Sequence, residues 1–133
     1  MDLNFQYAHN SHDESETKKN ITANEAVEAF DEFDWLGEAE KANELQKCSP
    51  TLSVVIDSSN ELAWVSAFCD NNGVQFVSES RFPGEVKKWL GLSKGQGVVS
   101  LDAGSLCQSN ARKVIELFAA KQYELLRGIY KNA

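Results

Sequence analysis

The sequence lacks the patterns that most often announce a chemistry. Its three cysteines, Cys48, Cys69 and Cys107, form an odd set with no Cys-x-x-Cys spacing, which argues against a disulfide framework and against a zinc site and predicts three free thiols. The Walker pattern and the longer dinucleotide fingerprint are absent; Gly95-x-Gly97 in the segment Ser93 to Gly97 is read as a flexible connector rather than a phosphate cradle. No apolar run approaches the roughly 18 residues of a membrane span. The N-terminus, with Asp2 and a polar continuation, lacks the basic and apolar regions of a secretory signal. The expectation is a cytoplasmic protein with no membrane partner. Net positive charge is lacking as well, and the overall acidity makes nucleic acid a poor ligand because phosphate binding wants a basic face. No internal repeat is visible, and nothing implies a cofactor or a metal.

What is present fits one domain over residues 1–133, since 42% of the side chains are hydrophobic and 25% charged, enough to bury a core without staples. The net charge of −7 is uneven. Residues 1–44 hold 12 Asp/Glu against 3 Lys, and residues 45–133 hold 8 acids against 10 bases. The segment Glu25 to Glu44 alone carries eight carboxylates and one lysine. Such an acidic stretch favours a basic protein partner.

The C-terminal part organises the rest. Val98, Val99 and Leu101 predict a strand that leads through Asp102-Ala103-Gly104-Ser105 into one long helix ending near Tyr130. In that helix Cys107, Ala111, Val114, Ile115, Phe118, Leu125, Leu126 and Ile129 recur at spacings of three and four, with Gln122 as the one break in the stripe. Such a helix needs a surface to lie on, because ordering its backbone costs about 1–2 kcal/mol per residue. Phe118, at mid-stripe, is expected against a sheet.

Upstream, Asp2 to Tyr7 alternate as a short edge strand would, and His9 to Asn20 is polar without periodicity, hence a flexible loop or a disordered linker over residues 9–20. Thr22 with Glu25 is a capping box opening a helix over Ala23 to Phe33. A second helical piece is expected from Glu38 to Lys47, ended by Ser49-Pro50. Thr51 to Ile56, Glu61 to Cys69 and Val74 to Glu79, separated by turn-forming residues, predict an antiparallel meander, and both faces of the middle strand are apolar, so it should be central. Arg81-Phe82-Pro83-Gly84 is expected to break the meander, with a helical turn at Glu85 to Leu90. The fold class is therefore α+β: an antiparallel sheet of four to five strands, with N-terminal helices and a long C-terminal helix packed on it.

Candidate sites are few. His9 and His12 sit three apart, a spacing one metal can bridge, but no further ligands accompany them. Cys107 near a helix start is the best nucleophile available, yet the only histidines lie far off in sequence, so a small core thiol is the plainer reading. Asp31, Glu32 and Asp34 could act as paired carboxylates, though consecutive acids on a helix usually form a solvated face. What remains is surface: Asp34-Trp35 joins a large aromatic to the carboxylates, and Arg81-Phe82-Pro83 with Trp89 is a second aromatic group. Aromatics beside charge are what interfaces favour. Trp35 with Asp31, Glu32, Asp34, Glu38 and Glu40 is the predicted partner-binding set. The alternative is that Trp35 and Trp89 cover the ends of the core.

The N-terminal strand, the acidic helix, the meander Thr51 to Glu79 and the passage from Val98-Val99-Ser100 to the helix Ala111-Arg112-Lys113-Val114-Ile115-Glu116-Leu117-Phe118-Ala119-Ala120-Lys121 give an order of elements that resembles the first of the polymorphic-toxin immunity families. These are small bacterial proteins that neutralise secreted nucleic-acid deaminase or nuclease toxins. The resemblance implies an α+β inhibitor whose partner is a cognate toxin domain with a basic surface. An adaptor without catalysis and a small enzyme using Cys107 or the acidic cluster are the other two classes the sequence leaves open.

Overall fold

A computed structural model describes residues 1–88 and 93–133. Strand alternation sets its architecture. Along β1 (Asp2–Gln6), β3 (Thr51–Asp57) and β4 (Glu61–Asp70), every second side chain is buried: Leu3 and Phe5, Leu52 and Val54, then Ala63, Val65 and Ala67. The register brings these into common rows, Leu3 beside Val54 beside Ala63 and Phe5 beside Leu52 beside Val65. Phe76, Ser78, Ser80 and Phe82 of β5 (Gly73–Lys88) continue the buried rows, followed by Val99, Ala103 and Leu106 of β6 (Ser93–Leu106). With β2 (Glu16–Lys18), they form one antiparallel sheet in the order β2-β1-β3-β4-β5-β6. The helices α1 (Ala23–Glu32), α2 (Trp35–Leu45), α3 (Gln108–Ala119) and α4 (Tyr123–Lys131) cover its buried face. The other face carries Ser53, Trp64, Ser66, Glu79 and Arg81, half-buried or exposed. Among the described residues no helix is long and apolar enough to cross a membrane.

The α+β class and the antiparallel sheet agree with the sequence reading, and β4 is interior to the sheet as its two apolar faces require. Phe118 is fully buried in the core beside Tyr123. The differences are informative. The sheet has six strands, because the supposed loop over residues 9–20 contains β2, which pairs with β1 and turns that expected edge strand into an interior one. Asn4 donates to Ser15 Oγ at 2.9 Å and to Thr17 Oγ1 at 3.0 Å, so polar side chains secure a strand that has no apolar pattern.

The break expected at Arg81 to Gly84 does not occur; β5 runs on to Lys88, and Gly95 to Gly97 lies inside β6 rather than in a loop. Gly84 stands opposite Gly97, and the two glycines make room for the valines beside them: a Cβ on Gly97 would meet Val86 at 2.7 Å and one on Gly84 would meet Val99 at 2.9 Å. Pro83 is tolerated because β4 pairs with β5 only as far as Arg81, leaving one neighbour beyond it. Asp102 to Ser105 likewise extends β6. Trp89, and the last part of the turn expected at Glu85 to Leu90, lie outside the described residues.

The single long helix is two. α3 ends at Ala119 with Ala120 as its cap, Lys121 takes a left-handed conformation (φ 57°), and α4 starts after Gln122, the residue that interrupts the apolar stripe. Lys121 N–H donates to Phe118 O at 3.0 Å and Gln122 N–H to Leu117 O at 2.9 Å, the paired bonds of a Schellman ending.

Candidate partner-binding surface

The junction of α1 and α2 is built from local capping. Thr22 Oγ1 accepts from Glu25 N–H at 3.2 Å and Glu25 returns the bond to Thr22 N–H at 3.1 Å, which fixes the start of α1. At its end Phe33 leaves the helical conformation, and Asp34 caps α2 by accepting from Gly37 N–H at 3.1 Å. That cap starts α2 at Trp35, three residues earlier than the apolar spacing alone indicates. The indole Nε1–H of Trp35 donates to Phe30 O at 3.0 Å, a carbonyl in the last turn of α1.

This bond turns Trp35 inward. Its ring lies 4.1 Å from Phe33, 5.1 Å from Phe30 and 5.0 Å from Phe76, and only 2% of the residue is exposed. Trp35 is thus a core residue and not the surface anchor the sequence suggested: an indole flanked by acids in sequence can still rotate into the core once its N–H finds a buried acceptor. The carboxylates around it also have distinct places. Asp31 receives both Nε (2.7 Å) and Nη2 (2.9 Å) of Arg112, tying α1 to α3, and this guanidinium holds the Asp31 carboxyl below the ordinary carboxylate range. Asp34 is the cap. Glu38 is 7% exposed, with Lys41 Nζ 3.5 Å from its Oε2. Glu32 and Glu40 face solvent.

Three of the predicted residues, Glu32, Asp34 and Glu38, meet along one groove of about 460 Å³ between the β1–β2 hairpin and the α1–α2 junction. The N-terminal segment contributes Phe5, Tyr7 and His9, and Phe33, the residue that follows α1, joins them. Their rings are nearly parallel: Tyr7 and Phe33 are 5.4 Å apart at 4°, Phe5 and Phe33 6.4 Å at 2°, and Tyr7 and His9 5.8 Å at 13°. Glu16 and Lys18 of β2 complete the wall with Lys41 of α2. Burial, first, and the charges of Glu16 and Glu38 push the Tyr7 phenol up. Lys18 Nζ sits 5.9 Å over the Phe5 ring, so a cation reaches a ring face here. The period-two spacing of Phe5, Tyr7 and His9 was a signal for this wall; Glu16 and Lys18 offered none, being in a segment without periodicity. A larger hollow of about 620 Å³, between β5, β6 and α4, contains none of the predicted residues.

The candidate nucleophiles fall elsewhere. Cys107 is not the core thiol expected from its place on the apolar stripe: it is exposed at the start of α3, where Ser109 Oγ at 3.2 Å and backbone N–H groups hold its thiol pKa down. His9 lies at the aromatic groove and His12 beside Cys48, whose Sγ is 3.7 Å from His12 Nδ1. That Cys–His contact was not evident from the sequence, since 36 residues separate the pair. The hollow beside Cys48 is about 130 Å³, and His12 is not among the residues lining it. Among the described residues no group of three or more His, Cys, Asp or Glu side chains is placed to hold a metal ion.

No family model matches the chain, and neither the curated proteins nor the solved structures contain a match to it.

Proposed function

We propose that the chain is an inhibitory binding protein, an immunity protein that acts in the cytoplasm on the toxin domain of a cognate secreted effector, one that works on nucleic acid. The observation that carries this reading is the acid-rimmed aromatic groove at the α1–α2 junction, set in the most acidic part of the chain. A domain that handles nucleic acid needs a basic cleft, and an acidic surface with half-buried aromatic rings complements such a cleft in charge and in apolar contact. The chain acts by binding rather than by catalysis. Its contact residues on this reading are Glu32, Glu38 and Glu40 with Tyr7 and Phe33, while Asp31, Asp34 and Trp35 hold the surface in shape.

The test is genetic and then physical. The genes beside this chain's own are searched for a secreted effector, whose toxin domain is expressed with and without the protein in a sensitive bacterial strain, and the two purified proteins are mixed on a sizing column. Rescue of growth together with a stoichiometric complex is the expected outcome. Undiminished toxicity with no complex would remove the inhibitor reading.

A further inference from the structure

The groove between the β1–β2 hairpin and the α1–α2 junction has a shape and charge more specific than a diffuse acidic face. Its aromatic side is the parallel set Phe5, Tyr7 and Phe33, and the carboxylates of Glu16, Glu32 and Glu38 stand around it. Glu38 is the unusual member: its side chain is nine-tenths buried, yet its nearest cation is Lys41, whose own side chain is 63% exposed, at 3.5 Å. One long contact to a solvated ammonium holds Glu38 less firmly than the close, charge-assisted hydrogen bonds of a guanidinium would. An independent observation lies across the groove, where the chain's own Lys18 rests over the face of Phe5. The site thus handles cations in two ways already, by ring face and by carboxylate.

We propose that the groove is a receptor for one arginine side chain of the partner, its guanidinium stacked on the Tyr7–Phe33 rings and hydrogen-bonded to Glu38, with Glu16 and Glu32 at the entrance. Arginine is preferred to lysine because a planar guanidinium stacks on an aromatic face and offers several donors in a fixed fork, whereas an ammonium is a compact, strongly hydrated point charge. Lys41, flexible and exposed, moves aside when the guanidinium arrives. The inference rests on the inhibitor reading for the source of the arginine, but the receptor itself can be probed without the partner.

The probe is the capped tripeptide acetyl-Gly-Arg-Gly-amide, titrated into the whole protein and followed by the ring resonances of Tyr7 and Phe33. The comparison peptides carry lysine or citrulline, the latter a neutral isostere. The arginine peptide should shift both rings saturably, with a dissociation constant that is roughly millimolar for so few contacting atoms. Lysine should bind more weakly and citrulline not measurably. Glu38→Gln should weaken arginine binding by about fivefold or more. Glu16→Gln is fully surface-placed and keeps the test valid if the first variant does not fold; it should weaken binding in the same direction. Equal shifts from citrulline and arginine, or shifts spread without saturation over all the acidic residues, would overturn the receptor. If the peptide fails to bind while the protein still rescues cells from its toxin, the groove inference alone falls. If the peptide binds and no toxin is neutralised, the inhibitor reading falls and the receptor stands.

Discussion

Tyr130 illustrates how single residues tie the fold together. On the core side of β5 stand two serines, Ser78 and Ser80, with almost no exposure, an arrangement that would be unfavourable if their hydroxyls were unpaired. The Tyr130 hydroxyl, from the last turn of α4, lies 2.6 Å from Ser78 Oγ and 2.7 Å from Ser80 Oγ, and Ser78 donates onward to Trp64 O at 2.9 Å. Three hydroxyls and one carbonyl close a chain of donors and acceptors that holds the C-terminus on the sheet. Burial raises the Tyr130 pKa, so the phenol stays a neutral donor. Tyr130→Phe keeps the ring but takes from the buried Ser80 hydroxyl its partner, while Ser78 keeps only its bond to Trp64 O. We expect a loss of about 1–3 kcal/mol, read as a lower urea midpoint; an unchanged midpoint would mean that the serines find other partners. The corresponding bond of Tyr123 to Glu61, 2.6 Å long, is only half-buried, and its removal should cost less.

At the scale of elements, the break between α3 and α4 is the feature with the clearest energetic consequence. Lys121 occupies a left-handed position that L-residues adopt at a penalty of about 1–2 kcal/mol. Glycine removes that penalty while adding backbone freedom to the unfolded chain, and the Lys121–Glu61 pair that would be lost is long, at 3.8 Å, with its lysine largely in solvent although Glu61 is mostly buried. Lys121→Gly should therefore stabilise by roughly 0.5–1 kcal/mol, a rise of a few degrees in Tm. A fall in Tm would show that the lysine is held there by contacts stronger than the ion pair. The same junction shows where sequence reading stops. The capping box at Thr22 and Glu25 was legible because both partners lie within one turn. The α3–α4 break was not, since a Schellman ending usually advertises itself with glycine or asparagine and here uses lysine. β2 was hidden because its pairing depends on Asn4, on another strand. The continuation of β5 and β6 was hidden because Pro83, Gly84 and Gly97 read as breakers one at a time and become compatible only when the register sets glycine opposite glycine. The site divides along the same line: the carboxylates and Phe33 could be read from the acidic helix, whereas their meeting with Tyr7 and Glu16 depends on tertiary structure.

For the molecule as a whole, the question is which charges act at a distance and which serve the fold. The acidic excess of residues 1–44 belongs to β1, β2, α1, α2 and their connections. Asp31 is paired with Arg112 and Asp34 caps α2, so reversing either would act on stability as well as on binding. Glu28, Glu32, Glu40 and Glu44 are exposed and carry field without bearing on these contacts. Reversing these four to lysine should leave the unfolding midpoint close to wild type, since exposed substitutions away from caps and pairs typically change stability by about 0.5 kcal/mol or less each. Association with a basic partner should respond strongly. Steering by complementary charge can lift on-rates from about 10⁵–10⁶ to 10⁸–10⁹ M⁻¹s⁻¹ at low salt, and screening over about 10 Å at 0.1 M ionic strength weakens it. The fourfold variant is expected to associate more slowly than wild type at low salt and to show a flatter dependence of on-rate on ionic strength. Its dissociation rate should change less, because the desolvated contacts at Tyr7 and Phe33 are intact. Stopped-flow measurement of both rates across ionic strength separates these effects. An on-rate equal to wild type at low salt would make the acidic surface a solvated face only, and the partner's approach would then be guided from another part of the molecule.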